Sequence, residues 1–300
     1  MTATPAPARG RADASPARLA PEPADRVAER VDAIPDAPAT EPALPPDRRF
    51  YGGRGLRHRL IHFTFDDGPR AATTPRLLDH LARHRVRATF FLVTRALDDP
   101  RRRDTARATV RRMAAEGHTI GLHGHDHRGF RNLSDRDLRE QLRYGGQLIA
   151  DVTARAPHFV RPPYGGRDAR TDRVLARLGL RQVLWSMTPE RPRNDGQEAI
   201  VSQFRAQLAA REGEPFPGTV VLMHDTRPWV VEAIPRILRH LRRRNCQILR
   251  EGGQLWDVVP TLEALYGLSD AEVAGRQDAL RGELAPRCAA ATGDEDDTEP

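Results

Sequence analysis

From about Arg59 onward, short runs rich in β-branched and aromatic residues alternate with longer amphipathic runs. This alternation is typical of βα units that build a parallel sheet. The longer runs predict helices, with start signals at Thr74, which precedes a proline, and at Ser134. The short runs predict seven strands, at Leu60–Phe65, Ala88–Val93, Thr119–Leu122, His158–Val160, Arg181–Trp185, Thr219–Met223 and Cys246–Leu249.

Seven βα units predict a single α/β domain, either an incomplete barrel or a doubly wound sheet. Residues 1–47 are rich in alanine and proline and have neither aromatic residues nor apolar periodicity, so we expect a disordered leader. The end of the chain is an acidic tail of the same kind. The predicted domain therefore covers residues 48–266, and residues 267–300 form a C-terminal extension with a disordered end.

The charge of the chain does not indicate nucleic-acid binding. The 48 basic and 41 acidic residues give a net charge of +7, and all of the basic residues are arginine. They are interleaved with acids, and only 5% of the residues are aromatic, so a bias of the whole chain explains the charge better than a binding patch. No run approaches the roughly 18 apolar residues of a membrane span, so we expect no integral membrane association.

The chain does not begin with the apolar segment of a secretory signal, which predicts a cytoplasmic protein. Cys246 and Cys288 are far apart and match no metal-binding spacing. Neither a disulfide framework nor a zinc ribbon is therefore predicted.

Ionisable and polar side chains follow four of the predicted strands at their C-terminal ends. In a βα barrel these ends meet on one face, where active sites are built. Polar residues with a purely structural role would not be expected to select one end of four strands. The residues are Asp66, Asp67, His123, His127, Arg161, Tyr164, His224 and Asp225.

Asp66 and Asp67 stand where an apolar strand breaks into a Gly-Pro turn. A turn can bring both carboxylates toward one pocket, where one could bind a metal and the other act as a base. A solvated Asp-Asp-Gly turn is the alternative.

His123 and His127 have a spacing that can bring two imidazoles to one cation, and Asp67 would complete an open site of two histidines and one carboxylate. The alternative is a histidine-rich loop without a ligand. Asp126 also forms a His-Asp pair like that of metal phosphohydrolases, but no further ligand follows at a suitable spacing.

Two other segments carry candidate chemistry. Arg161 begins a proline-fixed turn that could hold its guanidinium against a carboxylate, although such a segment is also an ordinary βα loop. His224 ends an apolar strand, where a histidine can be poised to transfer a proton, and a structural histidine is the alternative.

In this order, the four segments resemble the polysaccharide deacetylase family with NodB homology, also called carbohydrate esterase family 4. The similarity covers about residues 56–250. It includes Thr-Phe-Asp-Asp-Gly at 64–68, the histidine pair, Arg-Pro-Pro-Tyr at 161–164 and Leu-Met-His at 222–224. The resemblance implies a distorted, incomplete (β/α)7 barrel.

The resemblance also implies roles for these residues. Asp67, His123 and His127 would bind a divalent metal, most often zinc, with cobalt, manganese or nickel as alternatives. Asp66 would be the general base that takes a proton from the attacking water. The acyl group removed would be the N-acetyl group of an amino sugar.

Further roles follow from the same resemblance. The backbone N–H of Tyr164 would donate to the oxyanion, and His224 would protonate the departing amine. Arg161 would orient Asp66. Trp185 and Leu222 would form the walls of a small pocket for the acetyl methyl group.

The chain departs from the family pattern at two positions. Gly124 replaces the serine or threonine that usually follows the first metal histidine. The second departure is in the family's fourth motif, which corresponds here to residues 185–192. Thr188 stands where this motif would normally have an aspartate that holds the arginine, and Glu190 or Asp195 could substitute for it.

The sequence therefore predicts a metal-dependent hydrolase that deacetylates an N-acylated saccharide. We also consider a catalytically silent carbohydrate-binding protein with the same fold, which the altered fourth motif favours, and a deformylase or non-sugar amidase. The sequence does not determine the sugar or the oligomeric state.

Overall fold

Residues 50–191 and 196–290 of the 300-residue chain are described by a computed structural model. Within these ranges, eight parallel strands form one sheet in the order β1-β6-β5-β4-β3-β2-β7, and β8 pairs with β2. The strands are β1 Phe50–Tyr51, β2 Leu60–Asp66, β3 Thr89–Leu92, β4 Thr119–Leu122, β5 Phe159–Val160, β6 Arg181–Val183, β7 Thr219–His224 and β8 Asp257–Val258.

Helices connect the strands, as expected for βα units. Two of their starts agree with the sequence, because α1 begins at Thr74 and the Ser134 side chain caps α3 by accepting a hydrogen bond from the backbone N–H of Asp137 at 3.1 Å. The α-helices are α1 Thr74–Arg83, α2 Arg103–Ala115, α3 Asp135–Thr153, α4 Ala169–Arg177, α5 Gly196–Glu212, α6 Pro228–Glu251, α7 Leu262–Gly267 and α8 Asp270–Ala290.

Six of the seven predicted strands coincide with β2 to β7, but the prediction of a strand at Cys246–Leu249 is wrong. That segment belongs to the 24-residue helix α6. The buried positions of α6 recur at intervals of three and four residues, as at Ile234, Ile237, Leu238 and Leu241. A short apolar run cannot distinguish a strand from the buried face of a long helix.

The sheet is curled, and the chain beyond β6 brings its ends together. The backbone N–H of Leu222 on β7 donates to the carbonyl of Met187 at 2.9 Å, and Ser186 N–H donates to the carbonyl of Val220 at 3.1 Å. This short contact replaces a full strand pairing. The sequence-based prediction of a distorted, incomplete α/β barrel is therefore confirmed.

The two faces of β2 have different neighbours. All seven residues of β2 are buried. Ile61, Phe63 and Phe65 belong to the large apolar cluster that also contains buried residues of the helices. Because successive side chains of a strand point to opposite faces, Thr64 and Asp66 lie on the other face. The strand therefore places an apolar layer under the helices and a polar pair inside the barrel.

The C-terminal helix α8 is covalently linked to α6. Cys246 and Cys288 form a disulfide with a Cα–Cα distance of 5.4 Å. The sequence did not predict this bond, because 42 positions separate the two cysteines and only the packing of α8 against α6 brings them together.

No helix in the described ranges is long and apolar enough to cross a membrane. The predicted leader and the acidic tail lie outside the described residues.

Candidate active site

Asp66 and Asp67 reach the same end of the barrel because the chain turns sharply between them and the following proline. Asp66 is the last residue of β2, is 2% exposed and pairs in register with His224 of β7. Asp67 has a φ of +77°, in the left-handed region. Because of this turn, the carboxylate of Asp67 lies beside that of Asp66. If the strand continued through Asp67, the two carboxylates would point to opposite faces of the sheet.

Three potential metal ligands lie together at this end. One ligand atom each of Asp67, His123 and His127 lies within 4.8 Å of the other two. The Oδ1 atom of Asp67 is 3.1 Å from Nε2 of His127 and 3.5 Å from Nε2 of His123. Two imidazoles and one carboxylate are a ligand set that zinc accepts, with positions left open for water or substrate.

The surroundings of His123 fix which ring nitrogen faces the other ligands. Its Nδ1–H donates a hydrogen bond to the backbone carbonyl of Arg161 at 2.7 Å. The lone pair of Nε2 therefore points toward Asp67, the arrangement found for histidines that bind metals. Burial lowers the pKa of His123 below its usual value, despite the opposing charges of Asp66 and Asp67, and so favours the neutral ring.

The Asp67 carboxylate fits a cation. Its Oδ1 atom is buried and has no hydrogen bond of good geometry in the described residues, although two imidazole nitrogens face it closely. An unsatisfied buried carboxylate oxygen is costly, and a cation at this point would satisfy it. Burial raises the pKa of Asp67, but the close contact with His127 and the charges of His224 and His123 outweigh it, so the pKa is lowered overall.

The loop that carries the two histidines contains two left-handed residues. Gly124 has a φ of +81° and His127 a φ of +63°. The His127 ring lies edge-on to the ring of Tyr164, with 4.9 Å between centroids. Tyr164 also has a positive φ, 61°, and its side chain is 78% exposed at the mouth of the site.

Arg161 is fully buried and is anchored on the inner face of the barrel. Its Nη1 donates to Oδ1 of Asp66 at 2.6 Å and to Oγ1 of Thr64 at 2.8 Å. Nε donates to the backbone carbonyl of Val183 at 3.0 Å, and the guanidinium carbon lies 4.2 Å from the centroid of the Phe91 ring. Burial lowers the pKa of Arg161, and the negative charge of Asp66 opposes that effect.

His224 is held from the other side by Glu190. The backbone N–H of His224 donates to Oε1 of Glu190 at 2.6 Å, and its Nδ1 donates to Oε2 at 3.0 Å. Arg227 also donates to Oε2 of Glu190. Burial lowers the pKa of His224, but the hydrogen bond and charge of Glu190 outweigh it, so the pKa is raised above 6.5.

The expectation that Glu190 substitutes in holding the arginine is not met, since Glu190 binds His224 instead. No carboxylate replaces the missing fourth-motif aspartate on Arg161, whose only acidic partner in the described residues is Asp66. Backbone carbonyls of Val183 and Leu184 satisfy the guanidinium in its place. Asp195 lies outside the described residues.

Trp185 and Leu222 both border the site. The Trp185 ring lies 5.7 Å from the Arg161 guanidinium carbon, and a β-carbon on Gly165 would come within 3.0 Å of it. Leu222 is 6% exposed and pairs in register with Thr64, which places it on the inner face below His224.

Asp225 is a residue of the site whose part the sequence did not show. It is completely buried and accepts a hydrogen bond from the Thr74 hydroxyl at 2.5 Å, and a β-carbon on Gly68 would clash with its carboxylate. Burial raises the pKa of Asp225 to about 7. Asp225 thereby packs the end of β7 against the Asp-Asp-Gly turn and the start of α1. The position of Asp225 next to His224 was the only signal in the sequence.

Comparison with known proteins is consistent with this geometry. The sequence model of the family described as polysaccharide deacetylase matches residues 53–183. The chain is 30% identical over 206 residues to a chitooligosaccharide deacetylase from Bradyrhizobium sp. (strain ANU 289), which covers 63% of this chain and 88% of that protein.

Two other proteins extend the comparison. The chain is 30% identical over 213 residues to the peptidoglycan-N-acetylglucosamine deacetylase PgdA of Listeria monocytogenes, a match covering 70% of this chain but only 39% of that longer protein. Among solved structures, the chitin deacetylase from the fungal pathogen Colletotrichum lindemuthianum superposes with a TM-score of 0.58 at 25% identity, covering 74% of this chain and 93% of that one.

Proposed function

This chain belongs to the polysaccharide deacetylase family, and we propose that it is a metal-dependent hydrolase that removes the N-acetyl group from an amino-sugar oligosaccharide or polysaccharide. The observation that carries the proposal is the placement of Asp66, the group formed by Asp67, His123 and His127, and His224 at one end of the barrel. Similar relatives named as chitooligosaccharide and peptidoglycan deacetylases support this substrate class.

Asp67, His123 and His127 would hold the cation, and the ligand set favours zinc. When bound, a cation of this kind supplies Lewis acidity to a water molecule and to the acyl carbonyl. The tautomer of His123 is set by its hydrogen bond to the Arg161 carbonyl, so its Nε2 is available without a proton having to move.

In the proposed reaction, Asp66 is the general base. Arg161 fixes the Asp66 carboxylate through a 2.6 Å charge-assisted hydrogen bond to Oδ1. Oδ2, which is 3.7 Å from Nε2 of His123, is left on the side of the metal ligands. This oxygen accepts a proton from the attacking water, a role that typically contributes 10²- to 10⁴-fold to a rate.

His224 is the general acid on the other side. Glu190 accepts the Nδ1 hydrogen bond, so Nε2, which lies 3.9 Å from Oδ2 of Asp67, faces the site. Because the pKa of His224 is raised, the ring is more readily protonated near neutral pH and gives its Nε2 proton to the departing amine nitrogen.

The remaining predicted residues take substrate-facing roles in this proposal. The backbone N–H of Tyr164 donates to the oxyanion, and its exposed ring offers a surface for the saccharide. Trp185 and Leu222 form the walls of the acyl pocket. The predicted partner is accordingly an N-acylated saccharide, without nucleic acid or integral membrane association.

The cellular location of this activity remains a prediction. The disulfide between Cys246 and Cys288 favours an oxidising compartment, in contrast to the cytoplasmic location expected in the sequence analysis. Fractionation of cells that express the native gene, with thiol labelling of each fraction before and after reduction, would distinguish the two locations.

The test of the proposed function uses zinc-loaded protein and a panel of N-acetylated chitooligosaccharides, with acetyl loss followed by mass spectrometry. Asp66→Asn should abolish acetyl loss while the zinc content stays at one ion per chain. Asp67→Asn should lose both the deacetylation activity and the bound zinc. Asp126→Asn, a carboxylate of the same loop outside the metal group, is the matched control and should keep both.

Two outcomes would contradict the proposal. Full zinc occupancy without acetyl loss, together with turnover of N-formylated or non-sugar amides, would show a different hydrolase. Saccharide binding without any turnover would show a catalytically silent protein of the same fold.

A further inference from the structure

A cleft separate from the candidate active site lies between the C-terminal end of α1, helix α6, strand β8 and helix α8. Its volume is about 520 Å³, which is within the range of small-molecule sites. The apolar part of its wall includes Leu238 and Leu241 of α6. The cleft is therefore large enough for a ligand with both polar and apolar parts.

This cleft lies at the other end of the barrel from the candidate active site. Asp257 and Val258 of β8, which line it, pair with Leu60 and Ile61 at the start of β2. Asp66 is at the end of the same strand. At 3.3 Å per residue, the two ends of β2 are about 20 Å apart, so a ligand of the cleft would not contact the proposed catalytic residues.

The polar part of the cleft has unbalanced positive charge. Arg83, Arg85 and Arg242 line the cleft, and none of the three has a carboxylate within ion-pair distance among the described residues. The other two arginines of the cleft are already paired, Arg276 with Asp257 and Arg287 with Glu283. Three guanidinium groups thus have no anionic partner in the part of the chain that the structure describes.

The pKa of His84 reflects the positive electrostatic potential of the cleft. It is half-buried in the wall, and burial together with the positive charges of Arg242, Arg239, His80 and Arg83 lowers its pKa. Positive groups brought together in this way repel one another, and a bound anion would relieve the repulsion.

We propose that this cleft binds a phosphate-bearing ligand through Arg83, Arg85 and Arg242. Guanidinium groups bind phosphate oxygens in pairs with short, charge-assisted hydrogen bonds. Leu238 and Leu241 would contact the apolar part of the ligand. The phosphate can belong to a soluble molecule or to a lipid headgroup, and the chemistry of recognition is the same for both.

The test follows the His84 ring by proton NMR in the full zinc-loaded chain, with His84→Asn used to assign its signal. Inorganic phosphate should shift this signal and raise the pKa of His84 more than sodium chloride at equal ionic strength, which raises it only by screening the arginines. In the double variant Arg85→Gln/Arg242→Gln, the dissociation constant for phosphate should rise about tenfold or more. Arg136→Gln, an exposed arginine of α3 outside the cleft, should bind as the wild type does.

Vesicle sedimentation distinguishes the two sources of phosphate. Binding to phosphatidylglycerol vesicles but not to phosphatidylcholine vesicles, lost in the double variant and kept in Arg136→Gln, would identify a lipid headgroup. A phosphate response at His84 without vesicle binding would identify a soluble ligand.

An unchanged His84 signal, or an equal response in the wild type and the double variant, would overturn the proposal. Deacetylation should be the same in all of these variants, because the cleft is remote from the active site. The result is therefore independent of the proposed enzymatic function.

Discussion

Both carboxylate oxygens of Glu190 accept hydrogen bonds from His224, one from its backbone N–H at 2.6 Å and one from its Nδ1 at 3.0 Å. The side chain of Glu190 is only 4% exposed, so water screens this pair weakly. The contact fixes the tautomer of His224 and the direction of its Nε2. In this chain, the altered fourth motif therefore serves the proposed acid rather than the proposed base.

Glu190→Gln should move the alkaline limb of the deacetylation pH profile to lower pH by about one unit or more. A general acid must be protonated, so activity falls as the pH rises through the pKa of His224. Glu190 raises that pKa, and the neutral glutamine would not. The measurement is kcat/KM between pH 5 and 10.

Two further variants make this prediction specific. Glu190→Asp should retain most of the raised pKa, and Glu214→Gln, an exposed glutamate away from the site, should leave the profile unchanged. An alkaline limb that is the same in Glu190→Gln and in the wild type would contradict the proposed pairing.

Gly124→Ser should weaken zinc binding and lower the free energy of unfolding by about 1 to 2 kcal/mol. The family pattern would suggest the opposite, since serine is common at this position. Gly124, however, has a φ of +81°, and a β-carbon there would come within 3.3 Å of the Phe130 ring. Zinc titration and denaturant unfolding would measure the two effects.

Gly179→Ser is the matched control for this substitution. Gly179 has a φ of +67°, and a β-carbon there would have no neighbour within 4 Å. We expect a similar backbone cost without any change in zinc affinity. Tighter zinc binding in Gly124→Ser would show that the loop changes its conformation to accept the side chain.

Reduction of the disulfide should lower the free energy of unfolding by about 2 to 4 kcal/mol, because the link between Cys246 and Cys288 closes a long loop in the unfolded chain. Cys246→Ser/Cys288→Ser should have the same effect, and reducing agent should not change this variant further. Deacetylation at 25 °C should be retained. Equal stability of the oxidised and reduced wild type would contradict the prediction.

The free energy of unfolding should fall as the pH is lowered from 6.5 to about 4, in part because of His62. Its Nδ1 donates to the Val259 carbonyl and its Nε2 accepts from the Thr89 hydroxyl, so the ring is neutral. Complete burial lowers its pKa from 6.5 to about 4. Between these two pH values the unfolded chain binds a proton that the folded chain does not. At the acidic end, this difference in proton binding lowers the free energy of unfolding by about 3 kcal/mol.

His62→Gln should reduce this dependence, as measured by denaturant unfolding at pH 7, 6, 5 and 4. The slope is the informative quantity, because the substitution itself also changes packing. Equal slopes in the variant and in the wild type would show that His62 does not contribute.

Much of the fold could be predicted from the sequence, since it depends on local patterns. The apolar runs at β2 and β7 and the start signals of α1 and α3 all identify elements that the structure contains. Residues 246–249 show where this reasoning fails. A run this short, with three apolar residues in four, fits either period, and the length of α6 is settled by its packing against α5, α1 and α8.

The sequence by itself determined which chemical groups this protein has at the ends of its strands: a carboxylate at the end of β2 and another directly after it, the histidine pair after β4 and a histidine at the end of β7. Their order in the chain is covalent, and parallel strands bring their C-terminal ends to one side.

Only the tertiary structure decided which of these groups touch. Glu190 binds His224 rather than Arg161, and Cys246 meets Cys288, through contacts between residues distant in the chain. The same is true of the cleft lined by three arginines that have no anionic partner among the described residues. Such contacts arise from three-dimensional packing, and a local pattern of residues carries no information about them.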